Sequence, residues 1–175
     1  MSRKKEKANS NRGLLIAVAL VVIAIGVASS ILLLGKKQQT PSVPVDVYLG
    51  VSKYGTINIS REDLEYIKKA IEGKYGSLTG KKVVLFGKTT CPHCHNMMNF
   101  FENNYKGVVV YIWVDIDEYG SRLFGDLLKK EVGAGFPVSY AVWVPHMLVL
   151  GSDGYPRVIV VGDVTKTEFW DGLLK

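Results

Sequence analysis

A run of 21 residues without a charged side chain, from Leu14 to Leu34, is the feature that most limits how this chain can fold. As an α-helix the run would be about 31 Å long, close to the hydrocarbon thickness of a bilayer. A cleaved secretory signal and a buried helix of a soluble domain are the alternatives. The apolar core of a signal is typically about 7 to 15 residues, and here "ILLL" continues past the small residues "VASS" where cleavage could occur. We therefore predict a transmembrane helix over residues 14–34, preceded by a basic tail of residues 1–13.

Positive charge is concentrated around this segment. Residues 1–37 hold seven Lys and Arg against one acid, whereas residues 38–175 hold fifteen of each sign. Because most of these cations precede the segment, the positive-inside rule places the amino terminus in the cytoplasm and the rest of the chain on the extracytoplasmic side. Disulfides persist there. The neutral remainder of the chain predicts no nucleic-acid partner.

A polar stretch with two prolines, residues 35–44, is predicted to be a linker. Strand patterns follow it. β-branched and aromatic runs predict strands at Val45–Val51, Val83–Gly87 and Val108–Val114, and the last of these is continuous enough to favour a buried central strand. The segments "HMLVL" and "RVIVV", joined by an Asp-Gly turn, predict a hairpin.

Helix signals lie between these strands. Ser60 is a candidate N-cap for the helix "REDLEYIKKAIEG", whose apolar residues lie on one face. Pro92 stands where a first helical residue would, a third helix ends near Gly133, and Thr165 with Glu168 predicts a capping box for the last one. The predicted order is βαβαβαββα, a single α/β domain over residues 45–175 with a central mixed sheet flanked by helices.

The two cysteines of the chain, Cys91 and Cys94, lie together in "TTCPHCH". Cys-x-x-Cys-His is also the spacing of a c-type haem attachment site, but such sites need an axial ligand in a mainly helical pocket. A structural zinc site usually takes two separated ligand pairs, and a purely structural disulfide across so short a loop stabilises little. Copper binding by thiolates and a nearby His remains an alternative. The position of the motif between a strand and a helix favours a redox dithiol.

The positions of the two sulfurs predict different roles. Cys91 falls at a helix amino terminus, where the macrodipole and free N–H groups favour a thiolate, so it is the predicted nucleophile. Cys94 lies one turn further in, and we expect it to be buried, to be less acidic and to resolve the mixed disulfide. His93 between them can donate to the Cys91 sulfur or place positive charge near it.

The strand and helix order, with Cys-x-x-Cys between the second strand and the second helix, resembles the thioredoxin fold over residues 45–175. "YIWVDID" and "VPHMLVLGSDG" resemble that family's strand ending in an aspartate and its proline, strand and turn. The resemblance implies that Pro145 is the cis-proline beside the active site, with Pro137 in "GAGFPV" as the alternative. "CPHC" is also the tetrad of the DsbA-type periplasmic disulfide oxidases, which implies an oxidising protein.

Several residues depart from the thioredoxin pattern or leave their role open. Thr90 stands where thioredoxins commonly have Trp, and Leu85 replaces an acid that assists proton transfer to the inner thiol. Fast reduction of substrates is therefore not implied. His95 is expected to face solvent, whereas His146 either faces the cysteines or begins a strand, and Tyr140 and Trp143 line the core or a substrate groove.

The sequence thus predicts a membrane-anchored, extracytoplasmic thiol-disulfide oxidoreductase that oxidises protein dithiols. The expected catalytic residues are Cys91, Cys94, His93 and Pro145, and no metal or cofactor is expected. The expected partners are protein thiol or disulfide substrates and a membrane redox partner. An extracytoplasmic thiol reductase and a tethered copper-binding chaperone are the alternatives.

The charge asymmetry yields a prediction about topology. A thiol reagent that cannot cross membranes should label reduced Cys91 in intact cells, because the domain is expected on the extracytoplasmic side. A cytoplasmic protein with an exposed cysteine serves as the control and should stay unlabelled until lysis. Labelling of Cys91 only after lysis would contradict the predicted orientation.

Overall fold

The computed structural model describes residues 41–174, in which a six-stranded mixed sheet has helices on both faces. The strands are β1 (Ser42–Leu49), β2 (Ser52–Ser60), β3 (Val83–Gly87), β4 (Val109–Trp113), β5 (His146–Leu150) and β6 (Pro156–Val161). The helices are α1 (Arg61–Tyr75), α2 (Pro92–Asn104), α3 (Glu118–Gly133), α4 (Val138–Ala141) and α5 (Thr167–Leu173). The predicted transmembrane segment lies outside the described residues, and no helix within residues 41–174 is long and apolar enough to cross a bilayer.

The strand order across the sheet is β2-β1-β6-β5-β3-β4. β1 pairs with β6 and β3 with β4 in parallel, and the remaining neighbours are antiparallel. The carboxyl ends of β3, β4 and β6 therefore lie at the same edge as the amino end of β5. This edge receives the cysteine motif.

Two clusters of buried hydrophobic side chains cover the two faces of the sheet. Successive side chains of β3 alternate between the two clusters. Val84 and Phe86 pack with α1 and α3, whereas Val83 and Leu85 pack with α2 and α5. Every residue of β3 is buried, which explains its uninterrupted apolar sequence. The predicted mixed α/β architecture is confirmed.

β2 is a strand that the sequence analysis missed. Its sequence, "SKYGTINIS", is largely polar, and its outer edge has no neighbouring strand in the described part of the sheet. Ile57 and Ile59 alternate onto the core and are buried. The strand forms a hairpin with β1 through Gly50, which has φ +59°, and the pairing begins at Ser42. The last residues of the predicted linker are therefore part of the sheet, and the element order is ββαβαβααββα.

β4 was predicted to be a buried central strand, and this was wrong, because it lies at the end of the sheet beside β3 alone. Its apolar run has another cause. Ile112 packs on the α1 and α3 face, while Tyr111 reaches α2 on the other face, where its hydroxyl donates to the Met98 carbonyl at 3.4 Å. Both faces of this terminal strand are thus covered by helices.

Of the two side-chain caps predicted at helix amino termini, the cap of α1 is confirmed and the cap of α5 is wrong. Ser60 caps α1, since its Oγ accepts the Asp63 N–H at 3.0 Å. The capping box of Thr165 and Glu168 does not form: α5 begins at Thr167 and its N-cap, Lys166, makes no side-chain cap bond. Trp170 anchors α5 instead, because its fully buried indole N–H donates to the Val164 carbonyl at 2.7 Å.

The close approach of α3 to β4 predicts a stability difference between two glycines of one helix. A Cβ at Gly120 would lie 2.6 Å from Ile112 Cγ2 and 2.8 Å from the Tyr75 hydroxyl oxygen, whereas a Cβ at Gly125 would meet nothing within 4 Å. We expect Gly120→Ala to lower the free energy of unfolding by about 1–3 kcal/mol through overpacking. Gly125→Ala should raise it by up to about 1 kcal/mol through helix propensity. Equal effects in urea unfolding would contradict the tight contact.

Candidate active site

The cysteine motif begins where β3 ends. After Gly87 the chain turns through a loop in which the Cys91 N–H donates to the Lys88 carbonyl at 3.1 Å. Asp115, just beyond β4, accepts the Thr89 N–H at 2.9 and 3.0 Å and the Thr89 hydroxyl proton. The bond from the Thr89 hydroxyl is the main reason that the pKa of Asp115 is lowered. The ends of two parallel strands therefore fix this loop.

Cys91 is the N-cap of α2. Its Sγ accepts the Cys94 backbone N–H at 3.2 Å, and Pro92 occupies the first helical position, as predicted. The sulfur is half-buried, and the Val144 carbonyl oxygen lies 3.8 Å from it. A sulfur that accepts a backbone N–H at a helix amino terminus is stabilised as a thiolate.

Cys94 lies one turn further along α2 and is fully buried, in agreement with the sequence analysis. Burial raises the pKa of its thiol to about 12, with a further contribution from the hydrogen bond to Cys91. Gly87 leaves room for it: a Cβ there would be 3.2 Å from the Cys94 Cβ. Cys94 is thus the protected, weakly acidic sulfur, and Cys91 is the accessible one.

The choice of Pro145 as the cis-proline is confirmed. The Val144–Pro145 bond is cis, and Pro137 instead forms the N-cap of α4. Pro145 is buried at the start of β5, and the Val144 carbonyl in front of it faces Cys91. The role of Pro145 in catalysis stays a prediction.

His93 has a carboxylate partner that the sequence analysis missed. Its Nδ1 lies 3.1 Å from an oxygen of Asp163, and Asn96 donates to the same oxygen at 3.2 Å. The hydrogen-bond partners of the Cys91 sulfur are Cys94 N and Val144 O, so His93 does not donate to it here. Asp163 follows β6, whose carboxyl end shares the edge with β3, and its position after a strand was the available signal.

The other two imidazoles do not face the sulfurs. His95 was expected to face solvent, but it is half-buried, with Nε2 2.6 Å from the Thr89 carbonyl and its ring 5.4 Å from that of Trp113. His146 begins β5 and is fully buried. It packs against Phe124 on the α1 and α3 face, opposite α2, and its Nε2 lies 2.9 Å from Glu131 Oε1. No group of three or more metal-ligating side chains occurs within residues 41–174.

A groove of about 400 Å³ lies beside Cys91 and is lined by His93, Trp143, Val144, Pro145, Gly162 and Asp163. Trp143 is 55% exposed and forms an apolar wall, which agrees with the predicted groove lining. Tyr140 packs against it with ring centroids 5.6 Å apart. The groove adjoins Cys91 through Val144, whose carbonyl oxygen lies 3.8 Å from the Cys91 sulfur.

The glutaredoxin family model matches residues 83–140, the stretch from β3 to α4 that contains both cysteines. The crystal structure of a buckwheat glutaredoxin–glutathione complex is similar to this chain at 20% sequence identity, over 66% of this chain and 89% of that one, with a TM-score of 0.39. No curated protein sequence matches the chain. Together with the mixed α/β fold, the family match supports a thiol oxidoreductase in general terms.

The raised pKa of Cys94 predicts how it reacts when Cys91 is removed. In Cys91→Ser the alkylation rate of Cys94 should still be rising at pH 10, because burial, the larger cause of the raised pKa, remains. The same variant unfolded in guanidinium should reach its plateau near the ordinary thiol range, about pH 9–10. Mass spectrometry of the alkylated protein against pH measures both. A plateau below pH 9 in the folded variant would contradict the assignment of Cys94 as the weakly acidic sulfur.

Proposed function

We propose that this protein is a thiol-disulfide oxidoreductase that oxidises protein dithiols through Cys91 and Cys94. The observation that carries the proposal is the asymmetry of the two sulfurs: Cys91 is accessible at a helix amino terminus beside a groove, and Cys94 is buried with a pKa of about 12. Thiol-disulfide exchange requires one accessible sulfur that can leave as a thiolate and one protected sulfur that resolves mixed disulfides.

The proposed cycle moves two electrons from the substrate to the protein. A substrate thiolate attacks Cys91 Sγ of the Cys91–Cys94 disulfide, forms a mixed disulfide and releases Cys94, which takes up a proton. The second substrate thiolate attacks the substrate sulfur of the mixed disulfide and releases Cys91 as a thiolate. The products are the substrate disulfide and the protein dithiol, and an external disulfide such as glutathione disulfide restores the starting state.

The weak acidity of Cys94 affects how the mixed disulfide is resolved. To reduce a substrate, Cys94 would have to lose its proton and attack the mixed disulfide, and a pKa of about 12 makes its thiolate scarce near neutral pH. Leu85, which is fully buried on the α2 face of β3, offers no carboxylate to remove that proton. A slow attack by Cys94 leaves time for the second substrate thiol to complete the oxidation.

The extracytoplasmic, membrane-anchored location is part of the proposal and rests on the sequence of residues 1–37. The apolar segment 14–34 and the excess of cations before it are its support. In such a setting we propose that a membrane redox partner accepts the two electrons and returns the pair to the disulfide.

A tethered copper chaperone is less well supported by the geometry. The copper site considered from the sequence would hold Cu(I) with the two sulfurs and a nearby imidazole. His93 is turned to Asp163 and His95 to the Thr89 carbonyl, so neither ring is directed at the sulfurs. Thiol-disulfide exchange is therefore the function that the site supports better than copper delivery.

The reduction potential tests the proposed direction. We expect equilibration with glutathione buffers to give roughly −200 mV or higher, because the Cys94 N–H and the helix terminus stabilise the reduced, thiolate-containing form. With glutathione disulfide present, the protein should oxidise a reduced dithiol peptide, and Cys91→Ser should not. A potential near −270 mV, the thioredoxin value, would favour the reductase. Slow exchange with tight, stoichiometric Cu(I) binding would favour the copper chaperone.

A further inference from the structure

The bond between Glu131 and His146 has no part in the exchange chemistry. Both side chains are fully buried, and His146 Nε2 lies 2.9 Å from Glu131 Oε1. Glu131 Oε2 and His146 Nδ1 are also buried, and neither has a hydrogen-bond partner within residues 41–174. This is therefore a buried polar pair joined by one bond, with one polar atom of each side chain left unsatisfied.

Stability alone does not explain such a pair. Removing charged or polar groups from water is costly, and a single hydrogen bond with two unsatisfied atoms offsets only part of that cost. Apolar residues of similar volume often fill such a site with equal or greater stability. A buried pair of this kind can instead specify one arrangement of the elements that it joins, because it makes a directional bond.

The elements that it joins are the two ends of the segment that forms the groove wall. Glu131 lies in the last turn of α3, and its carbonyl accepts the Phe136 N–H at 2.9 Å. His146 is the first residue of β5 and is fixed by pairing with Phe86 of β3 and Val161 of β6. Between them lie residues 132–145, here called the wall segment.

Packing of the wall segment against the core is uneven along its length. Its buried side chains are Phe136, Ala141 and Pro145, whereas Val138, Val142 and Trp143 are at least half exposed. Its α4 has only four residues. Phe136 and Ala141 hold its middle against the core, and the Gly162 N–H donates to the Pro145 carbonyl at 2.9 Å. The bond between Glu131 and His146 adds a directional contact between the two ends of the segment.

The position of the wall segment matters at Cys91. Trp143, Val144 and Pro145 line the groove, and the Val144 carbonyl oxygen lies 3.8 Å from Cys91 Sγ. Val144 is two residues from His146. A displacement at the base of the segment would move the groove wall relative to the sulfur.

We propose that Glu131 and His146 are positioning residues whose buried bond holds the wall segment at its distance from Cys91. They act through Trp143 and Val144 and touch no reacting atom. The catalytic effect rests on the proposed thiol-disulfide exchange, but the structural effect does not.

The test compares three changes at the pair with two controls. Glu131→Leu leaves His146 without its partner, whereas Glu131→Gln keeps an amide that can serve either tautomer of the imidazole. The double variant Glu131→Leu/His146→Phe replaces the whole pair by apolar groups and should fold even if Glu131→Leu does not. Ile71→Ala removes buried contacts in α1, and Lys130→Gln breaks the half-buried ion pair with Asp63 next to Glu131.

Two readouts separate positioning from stability. The first is kcat and KM for oxidation of a reduced dithiol peptide, with glutathione disulfide as oxidant. The second is amide hydrogen exchange over residues 138–146, which needs no activity. We expect the double variant to raise KM about tenfold with kcat within about twofold, and to speed exchange in this segment. Glu131→Gln, Ile71→Ala and Lys130→Gln should keep KM and the exchange of this segment near those of the unsubstituted protein.

A folded double variant with unchanged KM and unchanged exchange in residues 138–146 would overturn the proposal. A rise in KM for Ile71→Ala equal to that of the double variant would also overturn it, because general destabilisation would then explain the effect. If the unsubstituted protein fails to oxidise the peptide, the proposed function fails. Hydrogen exchange then still decides whether the pair holds the wall segment.

Discussion

The hydrogen bond from the Cys94 N–H to Cys91 Sγ is the interaction around which the site is organised. It makes a sulfur the N-cap of α2, in the place where an oxygen of Ser, Thr, Asp or Asn commonly caps a helix. The start of the helix and the chemistry of the sulfur are therefore one feature. Because the bond strengthens when Cys91 carries a negative charge, the reduced form benefits from the helix without any neighbouring cation.

The sheet then determines which groups surround that sulfur. β3, β4 and β6 run in the same direction, so the residues that follow them meet at one edge: Cys91 after β3, Asp115 after β4 and Asp163 after β6. β5 runs in the opposite direction and starts at this edge directly after Pro145. Segments far apart in the chain thus build the site because strand direction, more than local sequence, places them together.

The sequence predicted the features that depend on local chemistry. The Ser60 cap, Pro92 at the start of α2 and the buried position of Cys94 follow from neighbouring residues, and the structure agrees. β2 was missed because its polar residues hide the alternation of two isoleucines. The partners of His93 and His146 were missed, since tertiary packing brings Asp163 and Glu131 to them, and only the place of Asp163 after a strand indicated its position at this edge.

The two histidine–carboxylate pairs near the site differ in how firmly they can act. His93 is 68% exposed, so its pairing with Asp163 is screened by water and salt and holds the ring only weakly. The Asp163 carboxylate also offsets any positive charge on His93, and this weakens the electrostatic effect of that charge on the Cys91 sulfur. His146 and Glu131 are shielded from solvent. Their hydrogen bond is therefore not weakened by water, and it is directional. Of the groups around Cys91, the Cys94 N–H of α2 is therefore the one placed to stabilise a negative charge on its sulfur, while the buried pair is suited to fixing geometry.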